Sequence, residues 1–255
     1  MKLRIQQFLS RTGAFGSKKE LIESISKGEI SVGGVIVTSP MHFFDPSREN
    51  VHWKGNMLKK AAKVYLALNK PAGFLSSRLT QGDARLGKRS VFELIENDKS
   101  FDDAAKKSIF CVGRLDEDTS GLLLITNDGS FGAGVTRPES RIEKTYLAEL
   151  EKPLGQTDSE KLEKGVVIKL EENGITTSYK TSGCRIKAFE SNTRKIAITI
   201  SEGKKREIRR MLEAVGNKVL RLQRISIGKL RLEDLKIREG SYVLLDKETA
   251  MKAMV

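Results

Sequence analysis

A polar segment between two short apolar runs constrains the fold of this chain more than any other feature of its sequence. The runs at 110–113 and 122–126 each have the length and composition of a buried strand. The residues between them are mostly charged, with a glycine at each end where the backbone can turn tightly. Arg114 and Asp116 are two residues apart and point to the same side of an extended chain. A segment held between two strands can present a carboxylate in fixed geometry, although the pattern alone also fits a charged surface turn.

The rest of the chain after residue 60 alternates predicted strands with predicted helices. Strand patterns occur at 64–68, 144–150, 180–189, 195–201 and 219–227, and helical patterns begin at Ser90 and cover 206–214. The polar residues 74–90 predict a mobile loop, and Asn127-Asp128-Gly129 predicts a turn. Strands outnumber helices but are interleaved with them. The sequence therefore predicts an α+β domain over 61–255, on a mostly antiparallel mixed sheet with flanking helices.

Residues 1–60 have the pattern of a small separate domain. Leu3, Ile5, Phe8 and Leu9 recur at helical spacing. Ser17 can cap a second helix, with Glu20 completing a capping box and Lys27-Gly28 ending it. Two short strands then surround the Gly33-Gly34 turn, and a third is predicted at 51–53.

The charge balance favours a polyanionic partner. The chain holds 46 Lys and Arg against 33 Asp and Glu, a net charge of +13, and neutralised phosphates release condensed counterions. With two cysteines and two histidines, the chain has few ligands for a structural zinc site and few candidates for a His-based triad. No apolar run approaches the roughly 18 residues that span a membrane, so the sequence predicts a cytoplasmic protein.

Four segments in order resemble the pseudouridine synthases of the RsuA type. The most specific is Gly-Arg-Leu-Asp followed by Asp-Thr-x-Gly-Leu-Leu, over 113–123. The others are Asn-Lys-Pro-x-Gly at 69–73, Glu-Lys-Thr-Tyr at 143–146, and the basic segment over 202–217. Related synthases often carry Gln at position 207, where this chain has Glu, and we expect Glu207 to lie clear of the chemistry. The resemblance spans nearly the whole chain, because residues 1–60 also resemble the alpha-L RNA-binding domain.

The resemblance implies an activity and roles for named residues. Asp116 would be the catalytic carboxylate that isomerises uridine, acting either as a nucleophile at the sugar or as a base. Tyr146 would stack on the uracil, and Arg209 would be the charge partner that keeps Asp116 ionised. Arg114 would hold the flipped nucleotide out of its helix.

The basic residues fall into two predicted RNA-contacting sets. The first lies in the C-terminal motif and consists of Lys204, Arg206 and Arg210. The second lies on the N-terminal domain and consists of Arg4, Arg11, Lys18, Lys19 and Lys27. The expected partner is ribosomal RNA of either subunit; the enzyme is expected to be a monomer without metal, organic cofactor or obligate protein partner.

Two other readings of the sequence remain open. An RNA-binding assembly factor without activity would carry the same basic surface, but the presence of Asp116, Tyr146 and Arg209 argues against lost catalysis. A metal-dependent nuclease could use Asp116 with Asp118, although such enzymes need carboxylates that converge on one or two ions.

Overall fold

The computed structural model describes residues 2–100, 102–172, 174–189 and 192–255. The chain divides into two compact units. The first consists of Met1–Val64, Ile95–Phe110 and Thr126–Asp128, and the second of Tyr65–Leu94, Cys111–Ile125 and Gly129–Val255. The boundary at residue 60 stays a prediction, and the first unit includes two later segments that the sequence did not assign to it.

The elements follow one another as short strands and helices. The strands are β1 Leu3–Arg4, β2 Ile30–Val32, β3 Val35–Val37, β4 Phe43–Phe44, β5 Val51–Trp53, β6 Asn56–Met57, β7 Tyr65–Lys70, β8 Phe74–Leu75, β9 Arg89–Ser90, β10 Phe110–Val112, β11 Thr119–Thr126, β12 Lys144–Leu150, β13 Val167–Glu172, β14 Ile175–Lys180, β15 Arg185–Phe189, β16 Asn192–Ile200, β17 Val219–Ile227, β18 Leu230–Arg231 and β19 Tyr242–Leu244. The helices are α1 Ile5–Leu9, α2 Lys18–Ser26, α3 Gln81–Arg85, α4 Asp103–Ser108, α5 Gly129–Thr136, α6 Gln156–Glu163, α7 Glu207–Ala214, α8 Leu232–Leu235 and α9 Lys247–Met251. Turns of 3₁₀ helix occur at Val91–Leu94, Pro138–Ser140 and Lys252–Met254.

The first unit packs α1 and α2 on a small sheet of order β3-β2-β5-β6. The Ser17 hydroxyl accepts a hydrogen bond from the Glu20 amide at 3.1 Å, which confirms the predicted cap of α2. The Glu20 carboxylate accepts a hydrogen bond from the Gly16 amide at 2.7 Å. The predicted capping box is therefore completed by the residue before Ser17 and not by the Ser17 amide. Gly28, at φ +70°, follows the last turn of α2 and confirms the predicted helix end. No helix in the described ranges is long and apolar enough to cross a bilayer.

The second unit is built on a sheet of order β15-β16-β12-β17-β11-β7-β19. The pairs that β12 forms with β16 and β17 are antiparallel, as are β15 with β16 and β7 with β19, whereas β11 pairs with β17 in parallel. One face of this sheet packs on a core that includes Leu122, Leu124, Phe131 and Val135. The predicted α+β class with a mostly antiparallel sheet is confirmed.

Two local predictions were wrong, and the helix that follows a predicted turn was not foreseen. The Asn127-Asp128-Gly129 turn leads directly into α5, a helix that contains three glycines and forms because Phe131 and Val135 enter the core. The predicted mobile loop at 74–90 contains β8, α3 and β9, with a capping box between Thr80 and Asp83. The single strand predicted at 180–189 is divided between the end of β14 and β15.

Gly121 allows the two strands of the sheet's parallel pair to approach closely. It faces Arg224 in the register of β11 and β17, at φ +103°. A Cβ atom at position 121 would lie 2.2 Å from the Arg224 carbonyl oxygen. Since both groups belong to the backbone of buried strands, neither can move aside, and only glycine fits.

We expect Gly121→Ala to lower the free energy of unfolding by at least about 2 kcal/mol, because it adds backbone strain and a clash in the sheet. Urea denaturation followed by circular dichroism measures the change. The matched control is Gly203→Ala, since a Cβ there meets nothing within 4 Å. Equal stability of the two variants would contradict the close approach of the strands.

Candidate active site

Asp116 lies between β10 and β11 in a segment whose backbone is held on both sides. The Ser76 hydroxyl donates to the Leu115 carbonyl at 2.9 Å and accepts from the Leu115 amide at 3.1 Å. The amide of Thr119 donates to the Asp116 carbonyl at 3.1 Å. The carboxylate of Asp116 is therefore attached to a restrained backbone, as a catalytic group requires.

The side chain of Lys70 is fully buried beside this segment. Its ammonium nitrogen donates hydrogen bonds to the carbonyl oxygens of Asp116, Glu117 and Thr119, at 3.1, 3.3 and 2.8 Å. Burial lowers the pKa of Lys70 to about 8, and the neighbouring acidic side chains oppose that shift. The sequence marked Lys70 only as part of a motif and did not predict that it binds the backbone of the Asp116 segment.

A cavity of about 550 Å³ brings together five of the residues that the sequence singled out. These are Arg114, Asp116, Tyr146, Lys204 and Arg206. Apolar side chains of Ile200, Ile208 and Leu222 also line it. A cavity of this size with an acid, an aromatic ring and several cations can hold a flat uncharged base attached to an anionic backbone.

Tyr146, on β12, forms part of the cavity wall and is 8% exposed. The guanidinium of Arg224 lies 6.0 Å from the centre of its ring, at the outer range of a cation–π contact. Arg224 is buried and donates from Nε to the Leu122 carbonyl at 2.7 Å. Arg224 was not predicted from the sequence, although a charged residue two positions after the apolar Leu222 on a strand was a signal.

Arg209, the predicted charge partner of Asp116, contacts Asp118 instead. Its Nη2 lies 3.1 Å from the Asp118 carbonyl oxygen and 3.3 Å from the carboxylate, and its Nη1 donates to the Val219 carbonyl at 3.0 Å. Arg209 is buried and is absent from the cavity lining. The buried face of α7 directs the two terminal nitrogens of the guanidinium toward Asp118 and Val219, while its buried Nε has no acceptor among the described residues. The role of Arg209 as charge partner of Asp116 stays a prediction.

Asp118 is also held by Arg206. The two side chains form a bidentate pair, with distances of 3.2 and 3.1 Å between guanidinium nitrogens and carboxylate oxygens. A carboxylate engaged by two arginines is a poor ligand for a cation. This arrangement argues against a nuclease in which Asp116 and Asp118 bind metal ions together.

Lys204 and Arg210 differ in their relation to the cavity. The Lys204 ammonium lies 4.7 Å from the centre of the Tyr179 ring and the residue lines the cavity. Arg210 is absent from the lining and donates from Nη1 to the Lys205 carbonyl at 3.0 Å. The phosphate contacts predicted for Lys204, Arg206 and Arg210 stay predictions.

The motif comparison gave Glu207 no part in the chemistry, and that expectation stays a prediction. Glu207 lines the cavity and is 3% exposed. Its Oε2 accepts a hydrogen bond from the Lys204 amide at 2.7 Å. Burial raises the pKa of Glu207 to about 8, and a hydrogen bond with Glu202 adds to the rise.

The basic residues predicted to bind RNA on the N-terminal part lie in the first unit. They are Arg4, Arg11, Lys18, Lys19 and Lys27. Arg11 is half-buried and the other four are exposed. Lys19 and Lys27 lie 3.9 and 4.0 Å from Glu23, and exposed pairs of this kind are weak and easily exchanged for another anion. Their contact with RNA stays a prediction.

Comparison with known proteins identifies the family to which the chain belongs. The family model described as RNA pseudouridylate synthase matches residues 64–214. The large-subunit pseudouridine synthase B of Bacillus subtilis is 33% identical, over 91% of this chain and 88% of its own length. The small-subunit pseudouridine synthase A of Vibrio vulnificus is 30% identical, over 96% of this chain and 97% of its own length.

A solved structure extends the similarity to the fold. A crystal structure of a pseudouridylate synthase superposes with a TM-score of 0.66 at 26% identity, covering 99% of this chain and 100% of the other. The resemblance to the RsuA type that four sequence motifs predicted is confirmed by these relatives. This chain belongs to the RNA pseudouridylate synthase family and is an RNA uridine isomerase.

Proposed function

We propose that the protein converts a uridine of ribosomal RNA to pseudouridine, and that Asp116 is the catalytic carboxylate. The observation that carries the proposal is the cavity in which Asp116 and Tyr146 meet a group of cations. Relatives named for the large and the small ribosomal subunit support ribosomal RNA as the substrate class.

The reaction breaks the bond from N1 of the base to C1′ of the sugar and forms a bond from C5 to C1′. A proton leaves C5 and N1 gains one, so atoms and electrons balance within the nucleotide. Asp116 acts either as a nucleophile at the sugar or as the base that removes a sugar proton. The isomerisation is redox-neutral, and in this proposal it proceeds without a metal or organic cofactor.

The other cavity residues act on an extruded nucleotide. Tyr146 stacks on the uracil and replaces the neighbours that the base loses on leaving its helix, a loss of a few kcal/mol. Arg114, exposed at the cavity, helps to hold the flipped nucleotide out of the helix. Lys204 and Arg206 bind the phosphates on either side of it.

Two arginines have other tasks in this proposal. Arg206 exchanges its exposed ion pair with Asp118 for an RNA phosphate, since a pair that is 40% and 47% exposed is readily broken. Arg209 is a positioning residue, because it binds the backbone of Asp118 and so restrains the segment that carries Asp116. Arg210 and the basic residues of the first unit contact the RNA backbone.

One chain supplies every residue of this cavity, so we also propose that the enzyme is active as a monomer without an obligate protein partner. Its compartment would be the cytoplasm, where its proposed substrate is found.

We expect Asp116→Asn to lower the rate of isomerisation by about 10³-fold or more, because it removes the reacting charge and keeps the size of the side chain. Release of tritium from RNA that contains 5-tritiated uridine measures the reaction directly. RNA affinity should be retained, since phosphate contacts supply most of it.

The matched control for this variant is Glu117→Gln. Glu117 is the neighbouring acid, pairs with Lys88 at 2.7 Å and is absent from the cavity lining. It should retain most of the activity. Full activity of Asp116→Asn, or equal loss in both variants, would refute the assignment of the catalytic acid.

We expect the binding constant for RNA to fall steeply with salt, and Lys18→Ala to reduce the slope of log K against log salt by about 0.7 for single-stranded RNA. Arg48→Ala is the control, because Arg48 is an exposed cation of the same unit outside the predicted contact set. Fluorescence anisotropy at several salt concentrations measures both slopes. The same slope in wild type and Lys18→Ala would exclude this residue from the RNA contact.

A further inference from the structure

The carboxyl groups of Glu202 and Glu207 form an acid pair beside the catalytic cavity, in which Glu207 is buried and lines the wall while Glu202 is half-buried. The two side chains are close enough for each carboxyl to shift the pKa of the other. Oε1 of Glu207 is buried and finds no donor in the described part of the chain, while Oε2 accepts from the Lys204 amide at 2.7 Å. Two carboxyl groups can share a hydrogen bond only when one of them carries a proton.

The surroundings decide which of the two carries it. Glu202 accepts hydrogen bonds from the Tyr179 hydroxyl at 2.5 Å and the Ser182 amide at 2.6 Å, which stabilise its ionised form. Glu207 is 3% exposed and receives one amide. The proton therefore resides on Glu207, which donates to Glu202.

We propose that Glu207 is a positioning residue for uridine isomerisation, which in its protonated form binds Glu202 and holds the wall of the cavity formed by residues 203–206. The proposal rests on the proposed function, because that function makes this cavity the place of reaction. It assigns to the reaction a residue that does not need to contact the substrate.

The backbone of residues 203–206 depends on Glu207 for its conformation. Arg206 immediately before α7 has a left-handed backbone, at φ +54°, and its side chain does not cap the helix. Two hydrogen bonds between Glu207 and Lys204 close the turn. The Glu207 carboxylate accepts from the Lys204 amide, and the Glu207 amide donates to the Lys204 carbonyl at 3.2 Å. This turn directs Lys204 and Arg206 into the cavity.

The acid pair also connects this turn to the hairpin formed by β13 and β14. Tyr179 lies on β14 and binds Glu202 with its hydroxyl, while the Lys204 ammonium lies over its ring. The pair thus ties together the end of β16, the start of α7 and the hairpin. Loss of the shared proton would break the link between the two carboxyl groups, and with it this connection between the turn before α7 and the hairpin.

The groups that face Glu207 come from several elements. Glu202 follows β16, Lys204 lies in the turn, Tyr179 is on β14, Lys144 is on β12, and Cys184 precedes β15. Lys204 favours an ionised Glu207, whereas burial and the charge of Glu202 oppose it, and burial is the largest of these influences. Ionisation would place two negative charges in contact, and the pair would separate.

The first test is the pH profile of kcat, measured by tritium release between pH 6 and pH 9.5 for wild type, Glu207→Gln and Glu207→Ala. In the wild type we expect activity to fall as the pH passes through about 8, where Glu207 loses its proton. Glu207→Gln keeps a donor toward Glu202 at every pH, so it should stay active at neutral pH and lose this fall. Glu207→Ala should be several-fold slower at all pH values.

Two further observations make the test decisive. Glu213→Gln changes an exposed glutamate of the same helix and should keep the wild-type profile. Lys70 has a pKa that burial lowers to about the same value, so an alkaline fall that persists in Glu207→Gln assigns it to another group and overturns the proposal. A flat wild-type profile up to pH 9.5 would overturn it equally.

A second readout does not depend on catalysis. The pKa of Glu207 is raised in the folded state, so the folded protein binds its proton more tightly than the unfolded chain does. The stability of wild type relative to Glu207→Gln should therefore decrease from the ordinary value of 4.5 up to about 8 and then level off. Thermal unfolding midpoints of both proteins across this range measure it.

The two readouts separate this inference from the proposed function. An active Asp116→Asn enzyme together with the expected stability difference would refute the catalytic role of Asp116 and keep the acid pair. The opposite result, an inactive Asp116→Asn enzyme with parallel stability curves for wild type and Glu207→Gln, would refute the acid pair alone.

Discussion

The hydrogen bonds of the buried Lys70 ammonium are the interaction on which the candidate active site depends. A lysine removed from water is costly unless acceptors surround it. Here the acceptors are the carbonyl oxygen of Pro71 and those of Asp116, Glu117 and Thr119. The last three carbonyls can converge on one nitrogen only if the backbone between them adopts one conformation. The buried charge therefore restrains this segment together with the Ser76 hydroxyl and the turn bond from the Thr119 amide to the Asp116 carbonyl.

The neighbouring acids of this segment have different partners. Asp118 engages two guanidinium groups, and Glu117 engages Lys88. Asp116, which precedes both in sequence, lines the cavity that also contains Tyr146. Carboxylates in adjacent positions thus have different surroundings, so one short segment can supply acids suited to different roles.

The cavity depends on contributions that are distant in the chain. β12 supplies the aromatic ring, the connection between β10 and β11 supplies the acid, and the turn before α7 supplies cations. The parallel pairing of β11 and β17, made possible by Gly121, brings two of the cavity's strands together. The RNA pseudouridylate synthase family can therefore be identified from short motifs, because motifs far apart in the chain correspond to different walls of one cavity.

The sequence by itself determined the features that depend on near neighbours: the Ser17 cap, the strand at Val219–Ile227, the fold class and the motif around Asp116. Only the tertiary structure decided the partner of Arg209, the burial of Glu207 and the glycine-containing helix α5. The physical reason is the same in each case. The pKa of a side chain, the choice of its ion-pair partner and the stability of a weak helix depend on which distant groups share its burial, and residue spacing carries no information about them.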